Sequence, residues 1–283
     1  MTAFDPRITP ARPDLAARHL QGVVAAARFA DGRPHQVVEP QAPVRRAPSP
    51  DATLLTEALM GERVVVYETT DEGWAWGQLQ ADDFVGWLPA AALGPAGAAP
   101  TDKVAALRTL VFPGPDIKLP PLAGLPLGSR LTIVRQDTTF AVTAGGGFVP
   151  ARHLARLDAT EPDVVVVAER FLGVPYLWGG KTSLGLDCSG LVQVALTACG
   201  IACPRDSDMQ QHSLGTAVAA NEDFSNLRRG DLVFWPGHVA IMCDATGIIH
   251  ANAHRMAVTV EPLPEAIARI RATGCEVAAV KRL

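Results

Sequence analysis

The stretch Pro175-Tyr-Leu-Trp-Gly-Gly-Lys-Thr-Ser-Leu-Gly-Leu-Asp-Cys-Ser-Gly190 sets one cysteine, Cys188, at the point where a glycine-rich loop turns into a helix. From Ser189 to Ala198 the apolar residues Leu191, Val192, Ala195 and Leu196 recur at helical spacing, Cys199 extends the pattern, and Gly200 supplies a C-terminal stop. A thiol in the first turn of a helix faces unpaired backbone N–H groups and the positive end of the helix dipole. Both favour its thiolate, the nucleophilic form.

Working outward, the chain supplies a base. In Gly230-Asp-Leu-Val-Phe-Trp-Pro-Gly-His-Val-Ala-Ile-Met242, His238 opens a strand directly after a Pro-Gly turn. His250 lies 12 residues further on, in Gly247-Ile-Ile-His-Ala251, beyond the turn sequence Asp244-Ala-Thr-Gly247. A hairpin here brings the two imidazoles to neighbouring positions if their side chains share parity. His238 is then the base for Cys188, and His250 orients it through its far ring nitrogen. His254, four residues beyond His250, is a second candidate for the third position. The competing readings are a buried structural thiol and strand histidines satisfied within a core. The conjunction of a cysteine at a helix start with two hairpin histidines favours cysteine-peptidase chemistry.

Composition narrows the remaining classes. A length of 283 residues suits two or three domains, and 48% hydrophobic with 19% charged residues argues for real cores rather than disorder. The net charge of -4 and the lack of a basic block give nucleic acid no foothold. No run approaches the length of a membrane span, and the first ten residues lack the basic start and apolar core of a secretory signal. The five cysteines, 188, 199, 203, 243 and 275, are an odd number confined to the last third of the chain. That is no disulfide framework, and it leads us to expect a reducing, cytoplasmic setting. No cysteine or histidine group has structural-zinc spacing, so no metal or other cofactor is expected. Neither membrane nor nucleic acid is expected as a partner, and nothing in the sequence sets the oligomeric state.

Three regimes follow along the chain. Residues 1–33 carry an amphipathic pattern that predicts a helix from Asp14 to Phe29. Residues 34–94 hold short β-type runs at 35–39, 63–67, 74–79 and 84–88, and a Gly/Pro/Ala linker follows at 94–100. Residues 101–156 repeat the pattern with runs at 108–112, 130–135, 139–143 and 147–150. Trp87-Leu-Pro-Ala-Ala-Ala-Leu93 echoes Phe148-Val-Pro-Ala-Arg-His-Leu154. These two segments resemble bacterial SH3-like domains, small β-barrels present here in tandem. Residues 158–283 mix helices at 163–171 and 189–198 with strands near 231–235, 238–243, 247–251, 257–260 and 276–281. The fold class expected is α+β.

Within residues 158–283, four motifs occur in one order: Tyr176-Leu-Trp-Gly-Gly with Asp187-Cys188-Ser189-Gly190, then Arg229-Gly-Asp-Leu-Val-Phe234, Gly237-His238-Val-Ala-Ile241 and Ile249-His250-Ala251. Together they resemble the NlpC-type cell-wall cysteine peptidases. The resemblance implies a papain-like catalytic domain that hydrolyses the bond between γ-linked D-glutamate and a diamino acid in peptidoglycan peptides. It implies Cys188 as nucleophile, His238 as base, His250 as third polar residue and Tyr176 as a helper at the oxyanion. Cys203-Pro-Arg-Asp-Ser-Asp-Met-Gln210 resembles a further element of this family, which implies that Asp206 and Ser207, beside Asp187 and Ser189, hold the substrate's free amino terminus, with Trp178 on the cleft wall. Glu62 and Phe84 match positions through which a first SH3-like domain contributes to substrate binding, although phenylalanine lacks the hydroxyl usual there. The reading that results is a cytoplasmic peptidase acting on free murein peptides with an unblocked L-Ala in cell-wall recycling. Two alternatives stay open, a peptide-binding module with weak or no catalysis and an acyl or amide transferase working through a Cys188 thioester.

Overall fold

The computed structural model describes residues 4–283, in two compact units that divide after residue 157. In the first unit a seven-stranded antiparallel sheet runs in the order Leu54–Leu59, Gln41–Arg45, Val85–Pro89, Trp74–Leu79, Arg63–Thr69, Arg33–Val37 and Leu93–Pro95. Alternation along these strands sends Val37, Val44, Val64, Val66, Leu79 and Leu88 into one core. A second group of short strands spans 102–156 around Val104, Leu125, Leu131 and Val149, with Met60 of the first group packed on it. The two segments that echo each other in sequence do so in space. Each ends a strand with proline (Pro89, Pro150), makes a 3-10 turn (Ala90–Ala92, Ala151–His153) and leads into a closing strand at Leu93 or Leu154. Strands Gln41–Arg45 and Leu54–Leu59 were not among the runs read from the sequence, because Pro43, Glu57 and Ala58 weaken their β signature.

The predicted helix at Asp14–Phe29 does not form; of the N-terminal segment 1–33, residues 1–3 lie outside the described residues. Leu15–Ala17 and Arg28–Ala30 are instead extended and pair in parallel, with one 3-10 turn at Arg18–Leu20 between them. The physical reason is tertiary. Leu15, Ala16 and Ala17 are all fully buried, which three consecutive residues on one helix face could not be. Leu15 inserts among Trp76, Val85 and Trp87 on the outer face of the barrel. Arg12 lies over both indoles, its guanidinium carbon 4.4 Å from the Trp76 ring and 4.8 Å from Trp87, and pairs with Asp14 at 2.7 Å and Glu68 at 2.5 Å. Helix propensity of a few tenths of a kcal/mol per residue is small beside burial of a leucine, about 2 kcal/mol, together with a doubled cation–π contact.

The second unit is a six-stranded sheet with helices. Its strands are β1 (Thr216–Ala217), β2 (Leu232–Trp235), β3 (His238–Met242), β4 (Gly247–Asn252), β5 (Ala257–Pro262) and β6 (Ala279–Arg282), in the order β1-β6-β2-β3-β4-β5 and antiparallel throughout. Helix α1 (Val164–Glu169) contains four valines, poor helix formers, and depends on its cap and its packing. Asp163 accepts from the N–H groups of Val165 and Val166, while Val165 and Val167 are fully buried. Helix α2 (Cys188–Ala198) presents Leu191, Val192, Ala195 and Leu196 to the core, and Gly200, at φ +78°, ends it in the left-handed conformation. Helix α3 (Ser207–Ser213) follows the nucleophile helix, and α4 (Leu263–Arg271) lays Leu263, Ala266 and Ile267 against β2–β4. The Arg-Gly-Asp sequence ahead of β2 is structural. Gly230 turns at φ +86°, and the buried Asp231 accepts from the Arg228 N–H and both arms of Arg282 on β6.

Removing the clasp on the first barrel has a measurable cost. Arg12→Ala is expected to lower unfolding free energy in urea by about 1–2 kcal/mol. Arg12→Lys should recover less than half of that, because an ammonium has no planar face to lay on two indoles. A midpoint unchanged in Arg12→Ala would show that the segment contributes nothing to the barrel.

Candidate active site

Cys188 is the first residue of α2, and its position is fixed by the residue before it. Asp187 is the N-cap: its Oδ1 accepts from the Gly190 N–H at 2.7 Å, and its Oδ2 accepts from the Gly179 N–H at 2.8 Å. Arg205, 1% exposed, donates to both oxygens at 2.9 and 2.7 Å, and also to the Ser189 hydroxyl and the Gly180 carbonyl. The same backbones approach so closely that a Cβ on Gly190 would lie 2.3 Å from the Gly180 oxygen. This explains the glycine that ends Asp-Cys-Ser-Gly. Asp187 and Ser189 were expected to bind substrate, but both are buried and committed to this network. Their role is to hold the helix start.

The helix N-terminus does not by itself produce a resting thiolate. The Ser189 and Val239 N–H groups bond the sulfur and lower the Cys188 pKa, but burial and then the Asp187 charge outweigh them and push it up to about 11. His238, on the strand whose next residue donates to that sulfur, is pushed down to about 3, first by burial and then by His250 and Arg269. Both groups therefore rest uncharged, Cys188 as a thiol and His238 as a neutral imidazole. The Tyr176 hydroxyl is raised above its usual range by burial and then by the charges of Cys188 and Asp187, so it remains a proton donor beside the sulfur.

The hairpin register brings the histidines together. Ile241 pairs with Ile249 and Met242 with Ile248, a register in which His238 and His250 have the same parity. His238 Nε2 lies 2.8 Å from His250 Nδ1, with ring centroids 5.1 Å apart. His250 is fully buried, whereas His254 is exposed in the turn after β4, so His250 is the partner of His238. Beyond it lie two residues the sequence reading missed. Glu261 on β5 accepts from His250 Nε2 at 2.7 Å, and Arg269 on α4 pairs with the same carboxylate. Only the β4–β5 register, with Ile248 opposite Glu261 and His250 opposite Thr259, identifies them, and no local motif does.

Trp178 is 64% exposed, on the loop that also carries Tyr176. Asp206 and Ser207 stand partly exposed at the start of α3, directly after Arg205. Glu62 and Phe84, expected to contribute from the first barrel, are not available to a ligand. Phe84 is 1% exposed within the barrel core, and buried Glu62 accepts from the Leu59 N–H in its own turn. An aromatic in that position is apolar enough to be drawn inward, which its sequence match could not reveal. Among the described residues no group of three or more His, Cys, Asp or Glu side chains could hold a metal ion, and no helix is long and apolar enough to cross a membrane.

Residues 173–276 match the model of the NlpC/P60 family, and residues 44–93 match that of the bacterial dipeptidyl-peptidase Sh3 domain. The segment 173–276 is an NlpC/P60-family domain. The chain is 34% identical over 115 residues to dipeptidyl-peptidase 6 of Lysinibacillus sphaericus, covering 41% of each protein. It is 31% identical over 147 residues to the gamma-D-glutamyl-L-lysine dipeptidyl-peptidase of Bacillus cereus, covering 49% of this chain and 40% of that one. The chain thus spans about two-fifths of the length of these curated relatives. A crystal structure of an NlpC/P60 family protein from Bacillus cereus superposes with a TM-score of 0.71 at 22% identity, over 88% of this chain and 99% of that one, a likeness of fold.

Two measurements test this site. Arg205→Ala leaves the Asp187 carboxylate buried without its cation and should cost about 3–5 kcal/mol in denaturant unfolding; Arg205→Lys should not restore it, since an ammonium cannot bridge both oxygens. With the thiol raised to about 11, its anionic fraction climbs with pH across the whole neutral range. Alkylation of Cys188 by iodoacetamide should therefore accelerate about tenfold per pH unit between 6 and 9. A rate already flat from pH 6 to 8 would instead mean a resting thiolate–imidazolium pair.

Proposed function

We propose that this chain is a cysteine peptidase that hydrolyses the γ-D-glutamyl–diamino acid bond of peptidoglycan peptides. The observation that carries the proposal is the helix-borne Cys188 with its sulfur against the backbone of the β3 start, next to a His238–His250 pair. As the sulfur attacks the scissile carbonyl, its proton passes to His238, so no isolated charge has to be created in the buried site beforehand. The oxyanion that develops is positioned to receive the Cys188 N–H in the first turn of α2 and the Tyr176 hydroxyl. Collapse to the thioester breaks the C–N bond, and His238 returns the proton to the departing amine. Water, deprotonated by the same imidazole, then releases the acyl group and restores the thiol.

Within that activity we propose specificity for peptides with an unblocked amino-terminal L-Ala, and with it a role in cell-wall recycling in the cytoplasm. Asp187 and Ser189 are buried on Arg205, whereas Asp206, Ser207 and Tyr176 keep some exposure. A carboxylate beside a hydroxyl recognises an ammonium through charge-assisted hydrogen bonds and discriminates against an acetylated amine, which has lost the charge. The names of the relatives, dipeptidyl-peptidases, support the same reading, since release of a dipeptide counts from a free amino terminus.

The test is incubation with L-Ala-γ-D-Glu-diaminopimelate and its N-acetylated counterpart, read by mass spectrometry with Cys188→Ala as control. Cleavage of the free peptide, at least tenfold faster than of the acetylated one and abolished in Cys188→Ala, is expected. Equal rates would remove the amino-terminus specificity and the recycling role. No cleavage of either, with binding retained, would replace the peptidase by a binding module, and transfer to an added amine would replace hydrolysis by acyl transfer.

A further inference from the structure

The catalytic pair does not end at His250. His238, His250, Glu261 and Arg269 form one line of contacts reaching from the mouth of the site to α4: Nε2 to Nδ1 at 2.8 Å, Nε2 to Oε1 at 2.7 Å, then the carboxylate to the guanidinium. An imidazole has two chemically distinct nitrogens, and its proton settles where the neighbour of each requires it. Glu261 is held below the usual carboxylate range, by its bond from His250 first and then by Arg269, so it is an anion that can only accept. His250 must therefore carry its proton on Nε2. In the neutral ring this leaves a lone pair on Nδ1, and the contact at 2.8 Å requires His238 to donate its own Nε2–H there. The remaining lone pair of His238 is then on Nδ1.

We infer that Glu261 is a positioning residue of this site: it fixes the tautomers of His250 and His238 in series, so that the free nitrogen of His238 is Nδ1, the atom that accepts the Cys188 proton. Reversal of the chain disables the base. If His250 carried its proton on Nδ1, His238 would accept through Nε2 and hold its proton on Nδ1, with nothing left to receive one from sulfur. In the forward direction the S–H bond breaks, the proton joins His238 Nδ1, and the Nε2–H stays donated to His250. The imidazolium charge is met by the Glu261 carboxylate through the intervening His250 ring. Arg269 serves the same end by keeping that carboxylate ionised and aimed. The groups facing Glu261 are His250 from β4 and Arg269 from α4, and His238 from β3 lies beyond His250.

The catalytic part of the inference rests on Cys188 being the nucleophile of a peptidase, whereas the tautomer part does not, and the experiment separates them. Protein labelled with 15N-histidine is observed by long-range 15N–1H correlation at neutral pH, and the peptide assay is run on Glu261→Gln and Arg269→Gln. In the unmodified protein both histidines should show a protonated Nε2 and an unprotonated Nδ1. Glu261→Gln, whose amide can donate to Nε2, should shift His250 and His238 toward the opposite tautomer. It should also lower kcat roughly 100-fold, with KM changed less than about threefold. Arg269→Gln should keep the tautomers and lose less activity. A protonated Nδ1 on His250 in the unmodified protein overturns the inference. So does an equal loss of kcat in both variants with unaltered tautomers, which would make Glu261 a purely structural ion-pair partner. The expected tautomers together with no cleavage of any peptide would uphold the relay and reject the peptidase reading.

Discussion

The buried carboxylate of Asp187 is the fixed point of the catalytic unit. It caps α2 through Gly190, closes the preceding loop through Gly179, and neutralises Arg205, which reaches in from the segment before α3 and also holds Ser189 and the Gly180 carbonyl. Three separate pieces of chain are thereby tied at one residue, and the nucleophile is the next residue along. A buried ion pair is seldom a net source of stability, because desolvation consumes most of the Coulomb gain. Its value here lies in geometry. A bidentate guanidinium accepts one orientation of the carboxylate, and the helix start, with its cysteine, inherits that orientation.

The same burial sets the electrostatics of the reaction. A thiol raised to about 11 and an imidazole lowered to about 3, on the strand whose Val239 N–H bonds the sulfur, both rest without charge. The N–H groups of Ser189 and Val239 stand where a thiolate would form, so they act on the charge as it develops rather than before. His250 and Glu261 complete the arrangement on the other side of the base, as a second ring backed by a carboxylate. Proton transfer then separates charge only between groups already oriented to receive it, which is the economical way to run ionic chemistry in a low-dielectric site.

The first unit follows a different physical logic. Its barrels are assembled from alternation and tight turns, and its N-terminal segment serves as an added layer rather than a helix. Leu15 and Arg12 cover the indoles of Trp76 and Trp87, which would otherwise form an exposed aromatic face. The aromatic that sequence matching placed at a binding surface, Phe84, is consumed by the core. A barrel of this size has few interior positions, and a large apolar side chain at an inward-facing site fills one of them.

Local sequence determined a good deal. The cap-and-glycine pattern of Asp187 to Gly190, the periodicity of α2, the stop at Gly200, the short apolar runs of β2–β4 and the repeated strand-proline-turn ending of the barrels are all effects of neighbours in the chain. They are legible because capping, helical spacing and turn chemistry act over a few residues. The pairing of His238 with His250 was legible to within its parity, which the short Asp244–Gly247 turn restricts. What only the tertiary structure decided involves partners far apart in sequence: Arg205 on Asp187, Glu261 and Arg269 behind His250, and Trp76 and Trp87 under Arg12. It also decided the fate of residues whose sequence signal was ambiguous, with Leu15–Ala17 extended rather than helical and Phe84 inward rather than at a cleft. An amphipathic pattern says that a face will be buried but not against what. The surface that buries it, and the desolvation that shifts Cys188 and His238 in opposite directions, exist only once the strands and helices have packed.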